Sequence, residues 1–305
     1  MMTPFEKHGA LHVRGIHLTD SHGNPLQLFG MSTHGIAWFP KFVCLETFRT
    51  LRDQWHTNCV RLAMYTAEHD GYCTDGDKEA TKALVRKGVE SATELGMYVI
   101  IDWHILRDEN PLVYQEEAIA FFDEMSRLYA NHANVIYEIC NEPCGNTTWA
   151  DVSAYANRVI PVIRANAPEA VIIVGTTCWS QDIHYALEKP LAFDNLMYAL
   201  HFYAATHTDG LRGRMRECLE AGLPVFVSEF GTCDASGNGA LDPEQTAKWR
   251  ELMDEYQVSY MCWNLANEHE SSSIVRYDCP KVSDWEDCDL NEQGILIRDW
   301  FSGKA

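Results

Sequence analysis

The chain lacks any run of about 18 or more apolar residues, so it offers no stretch able to cross a bilayer as a helix. Its opening, Met1-Met2-Thr3-Pro4-Phe5-Glu6-Lys7-His8, has no apolar core of the kind a secretory leader carries. Basic residues are scarce: 24 Lys and Arg stand against 44 Asp and Glu, a formal net charge of −20. No cluster of Lys or Arg interrupts that balance, which excludes the phosphate-neutralising surface a nucleic-acid partner requires. No Cys-x-x-Cys and no His-Glu-x-x-His occurs, so no compact zinc motif is present and no metal or other cofactor is expected. Linkers and low-complexity segments are missing too, and residues 1–305 are read as one domain.

Cysteine is plentiful but irregular. Eleven is an odd number, so at least one thiol is unpaired within a monomer. Cys140 and Cys144 flank Asn141-Glu142-Pro143 without further ligands at zinc spacing. Cys59 and Cys262 fall inside apolar runs and read as reduced core residues. Cys279 and Cys288 share one acidic loop and could bridge. This usage leaves the redox compartment open.

Apolar residues make up 46% of the chain and charged ones 22%, enough for a large core. Leu11-His12-Val13-Arg14-Gly15-Ile16-His17-Leu18 alternates, meets a turn at Ser21–Pro25 and resumes at Leu26–Gly30, which predicts an N-terminal hairpin over about 11–30. Short β-type runs follow at Cys59–Ala63, Met97–Ile101, Val135–Cys140, Val171–Val174, Leu196–Leu200, Pro224–Ser228 and Val258–Cys262. Between them lie amphipathic stretches such as Lys78–Leu95, Glu116–Ala130, Ala150–Ala165 and Pro243–Tyr256, with Glu79, Asp151 and Glu244 in first turns. Counting the second hairpin strand gives about eight βα units, which predicts an α/β fold of the (β/α)8 barrel type over about 26–302.

The apolar runs end on residues able to bind or react: His34, Arg61, Asp102 with His104, Asn141 with Glu142, Trp179, His201 with Tyr203, Glu229, and Trp263. In a (β/α) barrel such strand ends converge on one face. Glu142 and Glu229 then become two carboxylates on one rim, which is what glycosidic bond hydrolysis needs. Taken alone, Glu142 has a plainer reading, as a turn residue capping the helix near Trp149. Arg61, costly to bury unpaired, is expected to pair with Glu229 or with another strand-end acid. His34, His104 and His201 lack metal-ligand spacing and lie beside aromatic residues, so hydrogen bonding to hydroxyls or carboxylates is expected of them. Trp38, Trp179 and Trp263 suit either a core or a platform for a pyranose ring.

The strings Ile101-Asp102-Trp103-His104, Val135-Ile136-Tyr137-Glu138 with Asn141-Glu142-Pro143, His201-Phe202-Tyr203 and Ser228-Glu229-Phe230-Gly231 resemble glycoside hydrolase family 5, especially its bacterial endoglucanases. The likeness runs from about Gly15 to Trp300. It implies a retaining endo-β-1,4-glucanase working outside the cell, where the polymer is, as a monomer on a β-glucan polysaccharide or oligosaccharide, with no nucleic-acid or membrane partner. It also implies Glu142 as acid/base and Glu229 as nucleophile, with Arg61 and Tyr203 bonding the nucleophile. Asn141 would contact a sugar 2-hydroxyl and His201 would lie close to the acid/base. Substrate contacts are expected from His34, Trp38, Tyr65, His104, Trp179, Trp263 and Glu268. The chain departs from the family pattern at Phe230, at Ala37 where glutamine is common, and at Glu268 where a sugar-binding lysine is common. Phe230, in place of the commoner tryptophan, is a conservative change, while Ala37 and Glu268 point to a drift towards mixed-linkage or decorated glucans. A mannanase or xyloglucanase specificity, and a non-catalytic carbohydrate-binding barrel, are the alternatives.

Overall fold

The computed structural model describes residues 2–304, with ten strands, ten α-helices and two short 3-10 turns among them. After a short helix α1 (Pro4–His8), strands β1 (His12–Arg14) and β2 (His17–Thr19) form an antiparallel pair. The remaining strands are β3 (Phe29–Thr33), β4 (Cys59–Tyr65), β5 (Tyr98–His104), β6 (Val135–Glu138), β7 (Ile172–Val174), β8 (Leu196–Tyr203), β9 (Val225–Gly231) and β10 (Tyr260–Leu265). All eight pair in parallel and in chain order, β10 closing onto β3, so the (β/α)8 barrel is observed. The larger helices between them are α2 (Leu45–Gln54), α3 (Lys78–Glu94), α4 (Gln115–Leu128) and α5 (Trp149–Asn166). After the short α6 (Thr177–Ser180) and α7 (His184–Glu188) come α8 (Asp209–Glu220), α9 (Pro243–Glu255) and α10 (Glu292–Ser302).

The hairpin differs from expectation. Arg14 faces His17 directly, so an additional turn at Gly15-Ile16 splits the predicted first strand, while Thr19 still bridges Pro25 antiparallel across the predicted turn, and Phe29–Thr33 belongs to the barrel. Gly15 adopts φ +60°, which glycine allows at the first position of a two-residue hairpin turn. Ser21–Pro25 still turns, with Asp20 Oδ1 accepting from the backbone N–H of His22 and Asn24.

Strand alternation sorts the core into two layers. Inward residues at the strand starts, including Tyr98, Ile100, Ile136, Ile173, Met197, Phe226 and Met261, fill the bottom of the barrel. Leu11, Leu18, Leu26 and Leu28 cluster with them, so the N-terminal segment plugs that end. Tyr98 Oη donates to Gly9 O at 2.7 Å and ties the plug down. Outward residues such as Val60, Leu62, Val99, Ile101 and Trp103 pack with the helices. Each fully buried Ile or Leu contributes about 2 kcal/mol, so both layers hold the strands in register.

Further up, the same inward positions change character. Following parity, Cys59 gives way to Arg61, Ile100 to Asp102, Ile136 to Glu138 and Ala199 to His201. The top half of the barrel is therefore filled by charge.

Candidate active site

Arg61 lies at the centre of that layer and is fully buried. Its Nε donates to Glu138 Oε2 at 2.7 Å, and Nη1 donates to Glu229 Oε2 and Ser32 Oγ, each at 3.2 Å. Nη2 donates to Asn141 Oδ1 at 2.6 Å and lies 3.1 Å from Asp102 Oδ2. The two pairings anticipated for Arg61 thus coexist. Burial works against its charge, but Asp102, Glu138 and Glu229 more than offset this and keep it protonated. Burial pushes Asp102 well above the usual carboxylate range. Glu138 is pulled the other way by Arg61 and by its link to His201, despite burial.

Glu142 stands four residues beyond the last residue of β6, on a segment that neighbouring strands still grip. Ile139 N–H donates to Ile173 O, and Asn141 N–H to Trp103 O at 3.2 Å. Glu142 caps no helix here: Thr148 and Asp151 form the capping box of α5. Its Oε1 lies 2.9 Å from His201 Nδ1, and His201 Nε2 lies 2.9 Å from Ser228 Oγ. Ser228 Oγ donates its one proton to Glu138 Oε1 at 2.6 Å, so it accepts from a protonated Nε2. Burial opposes a charge on His201, but hydrogen bonding to Glu138 and Glu142 raises its pKa to about 9.

Glu229 owes its direction to a bulge. Ala199 is opposite Phe226 but His201 is opposite Glu229, so β9 carries one extra residue against β8; β10 sees the same shift. Adjacent Ser228 and Glu229 consequently both reach inward, which an unbroken strand would forbid. Ser228 serves His201 and Glu138, while Glu229 Oε1 accepts from Tyr203 Oη at 2.9 Å. Phe230 turns outward and stacks with Phe202 at 5.3 Å. One oxygen of Glu142, one of Glu229 and a nitrogen of His201 all lie within 4.8 Å of one another. The trio has the composition of a cation site, yet His201, protonated on both nitrogens, has no lone pair to offer.

Above these groups opens a cleft of about 590 Å³. His34, Tyr65, His104, Trp179 and Trp263 line it together with Glu142, His201, Tyr203 and Glu229, so most anticipated residues converge. His104 stacks on Trp263 at 5.2 Å, and its Nδ1 bonds Asp102 Oδ2 at 2.6 Å. Burial, with Arg61 nearby, lowers the His104 pKa to about 3; burial, with His104 nearby, does the same to His34. Both rings are neutral.

Trp179 is 47% exposed and sits in an unusual turn, where Cys178, Trp179 and Ser180 all have φ between 54° and 57°. Such left-handed residues cost of order 1 kcal/mol or more each, and the surroundings hold them. Trp179 N–H donates to Pro143 O, and Ser180 Oγ donates to Asn141 O at 2.7 Å. The tryptophan is thereby tied to the segment carrying Glu142.

Four anticipated residues fall elsewhere. Arg61 and Asn141 lie beneath the cleft, fully buried. The Asn141 amide donates to Ile105 O at 3.1 Å and sits 3.2 Å from His104 Nε2, so both its hydrogens are engaged within the protein. Trp38 stacks behind Tyr65 at 4.5 Å, its Nε1 donating to His69 O. Glu268 is not brought to the cleft; it lines a neighbouring depression of about 300 Å³ with Asn238 and Tyr277. Glu270 takes the cleft position instead, held by Asn264 Nδ2 at 2.7 Å and Ser272 Oγ at 2.8 Å. The sharp turn after β10, which folds Ser272 back onto Asn264, selects Glu270, and sequence spacing does not reveal it. Sequence reasoning also left Glu138, Ser228 and His207 without a role. For Glu138 a signal was present, an acid inside an apolar run. Cys279 and Cys288, which one loop could have bridged, are both free thiols, the first buried and the second exposed.

Comparison with known proteins places these features in context. The family described as Cellulase (glycosyl hydrolase family 5) matches residues 19–269. The chain is 48% identical over 298 residues to Endoglucanase A of Butyrivibrio fibrisolvens, covering 97% of this chain and 69% of that protein. It is 45% identical over 296 residues to an endoglucanase of Clostridium saccharobutylicum, covering 97% of this chain and 65% of the relative. It therefore spans about two thirds of the length of these relatives. Its backbone matches the catalytic domain of Thermobifida fusca endoglucanase Cel5A, solved in complex with cellotetraose, with a TM-score of 0.94 at 37% identity over 99% of this chain and 100% of that one. A charged barrel top carrying Glu142 and Glu229 beneath an aromatic cleft, together with this match across most of its length, makes the chain a glycoside hydrolase that belongs to glycosyl hydrolase family 5.

Proposed function

We propose that this chain is a retaining endo-β-1,4-glucanase acting on cellulose-type and mixed-linkage β-glucans, working as a single catalytic domain. The observation that carries the mechanism is the approach of Glu142 and Glu229 oxygens to within 4.8 Å. Retaining glycosidases hold their carboxyls roughly 5–5.5 Å apart, and inverting ones leave roughly 6.5–9.5 Å for a water. Glu229, oriented by Arg61 and Tyr203, attacks the anomeric carbon. Glu142 protonates the leaving oxygen, then takes a proton from the water that releases the glycosyl-enzyme. Arg61 and the Tyr203 hydroxyl prepare Glu229 to leave as a carboxylate in the second step.

Substrate class follows from the cleft and from similarity. Trp179 and Trp263 offer apolar faces to pyranose rings, while His34, Tyr65, His104 and Glu270 supply polar edges for hydroxyls. The Thermobifida fusca relative was solved with cellotetraose, a β-glucan oligosaccharide. Among the described residues no helix is long and apolar enough to cross a membrane. A polymeric substrate implies work outside the cell, and we read the enzyme as a monomer needing no cofactor.

The test is reducing-sugar release from carboxymethyl cellulose, barley β-glucan, xyloglucan and glucomannan, with Glu229→Gln alongside. Activity on the first two that disappears in a folded variant is expected. Preference for glucomannan or xyloglucan would replace the substrate assignment, and full activity in Glu229→Gln would remove the mechanism.

A further inference from the structure

We propose that Ser228 and Glu138 are positioning residues that hold His201 against the acid/base Glu142, and that Glu138 joins this arm to the one holding Glu229. The inference rests on the glucanase reading and extends it to two residues that never meet the sugar.

Glu138 is completely buried and lines no part of the cleft, so substrate cannot touch it. Both its oxygens are nevertheless spent on the catalytic carboxylates' own supports. Oε2 accepts from Arg61 Nε at 2.7 Å, and Arg61 in turn bonds Glu229. Oε1 accepts from Ser228 Oγ at 2.6 Å, Ser228 receives His201 Nε2 at 2.9 Å, and His201 Nδ1 meets Glu142 at 2.9 Å. His201 Nε2 also lies 3.8 Å from Glu138 Oε1, close enough for direct attraction through the serine. One buried anion therefore terminates two hydrogen-bonded arms, one ending on each catalytic glutamate.

The geometry does two things. It fixes the imidazole plane, because both ring nitrogens are engaged and neither can rotate away without losing a bond. It also holds a proton at Nδ1, facing Glu142 Oε1, so the carboxylate formed when Glu142 gives up its proton meets a positive partner. No net proton crosses the arm: the Ser228 hydroxyl keeps its proton towards Glu138, and His201 keeps both of its own. The raised pKa of His201 fits that charge state. The bulge in β9 belongs to the same device, because without the extra residue Ser228 and Glu229 could not serve the two arms from adjacent positions.

The two arms separate experimentally by leaving group. Breaking the bond in cellotetraose needs a proton on the leaving oxygen; 2,4-dinitrophenyl β-cellobioside departs without one. Ser228→Ala cuts only the His201 arm, so its kcat/KM should fall roughly 10–100-fold on cellotetraose and by less than about threefold on the dinitrophenyl substrate. Glu138→Gln weakens both arms, so it should lower kcat/KM on both substrates. Melting curves check folding, and Ser228→Cys, a weaker acceptor of similar size, is read in the same way should the alanine variant not fold. Equal losses on the two substrates in a folded Ser228 variant, or none, would overturn the assignment. A selective loss in Glu138→Gln would overturn the link to Arg61. Wild-type protein inert on both substrates would overturn the glucanase reading, and this inference with it.

Discussion

Asp102 and Glu138 stand directly opposite each other on β5 and β6, two fully buried carboxylates on neighbouring strands, both within reach of Arg61. Like charges so placed are tolerable only with a cation between them. Arg61 supplies it, and burial shifts Asp102 towards its neutral form. The charged layer is thus one electrostatic unit centred on Arg61, with Glu229 among its members.

Removing the cation should unbalance that unit. Arg61→Met leaves buried carboxylates uncompensated, and loss of one partner of a buried pair costs about 3–5 kcal/mol. Urea denaturation of the variant should show a loss of that order, together with loss of activity. Unchanged stability would mean that Asp102 and Glu138 both discharge without cost.

Tyr203→Phe removes one hydrogen bond from Glu229 and little else. Bonds to charged groups contribute about 1.5–3 kcal/mol, so kcat/KM should fall about 10–100-fold with a melting temperature close to wild type. Steady-state kinetics on cellotetraose beside a thermal melt distinguishes this from a folding defect.

Trp179 is exposed and its turn is held from below, so the fold loses little if its ring is removed. Trp179→Ala should weaken oligosaccharide binding by about 5–30-fold, the worth of 1–2 kcal/mol of aromatic burial, and leave the melting temperature nearly unchanged. Calorimetric titration of cellotetraose into the Glu229→Gln background measures it without turnover.

Stability should fall on both sides of about pH 6.5, for opposite reasons. His201, with its folded pKa raised to about 9, adds stability that is complete below its unfolded pKa near 6.5 and lost as pH rises through 9. His34 and His104, lowered to about 3, are buried neutral; their contribution is complete above 6.5 and lost as pH falls towards 3. Melting temperatures across this range check both limbs, and His201→Gln should flatten the alkaline one.

All eleven cysteines are free. A reductant should therefore leave the melting temperature unchanged, and a thiol reagent should label native protein chiefly at exposed Cys178 and Cys288. A reductant-sensitive melt would contradict this.

The sequence by itself determined the barrel and the location of its chemistry. Short apolar runs alternating with amphipathic stretches admit few other folds, and a carboxylate at the end of such a run has no core role, so Glu142 and Glu229 were legible, whereas Trp263 read equally as core or platform. Tertiary structure decided the partners. Arg61, Asp102, Glu138 and Glu229 are far apart along the chain and become one unit only when the strands close. The extra residue that turns Ser228 and Glu229 inward together is visible only against the registers of β8 and β10. The choice of Glu270 over Glu268 depends on how the turn after β10 folds back on Asn264. Periodicity is local and survives in one dimension; charge compensation and register are relations between strands, and exist only after closure.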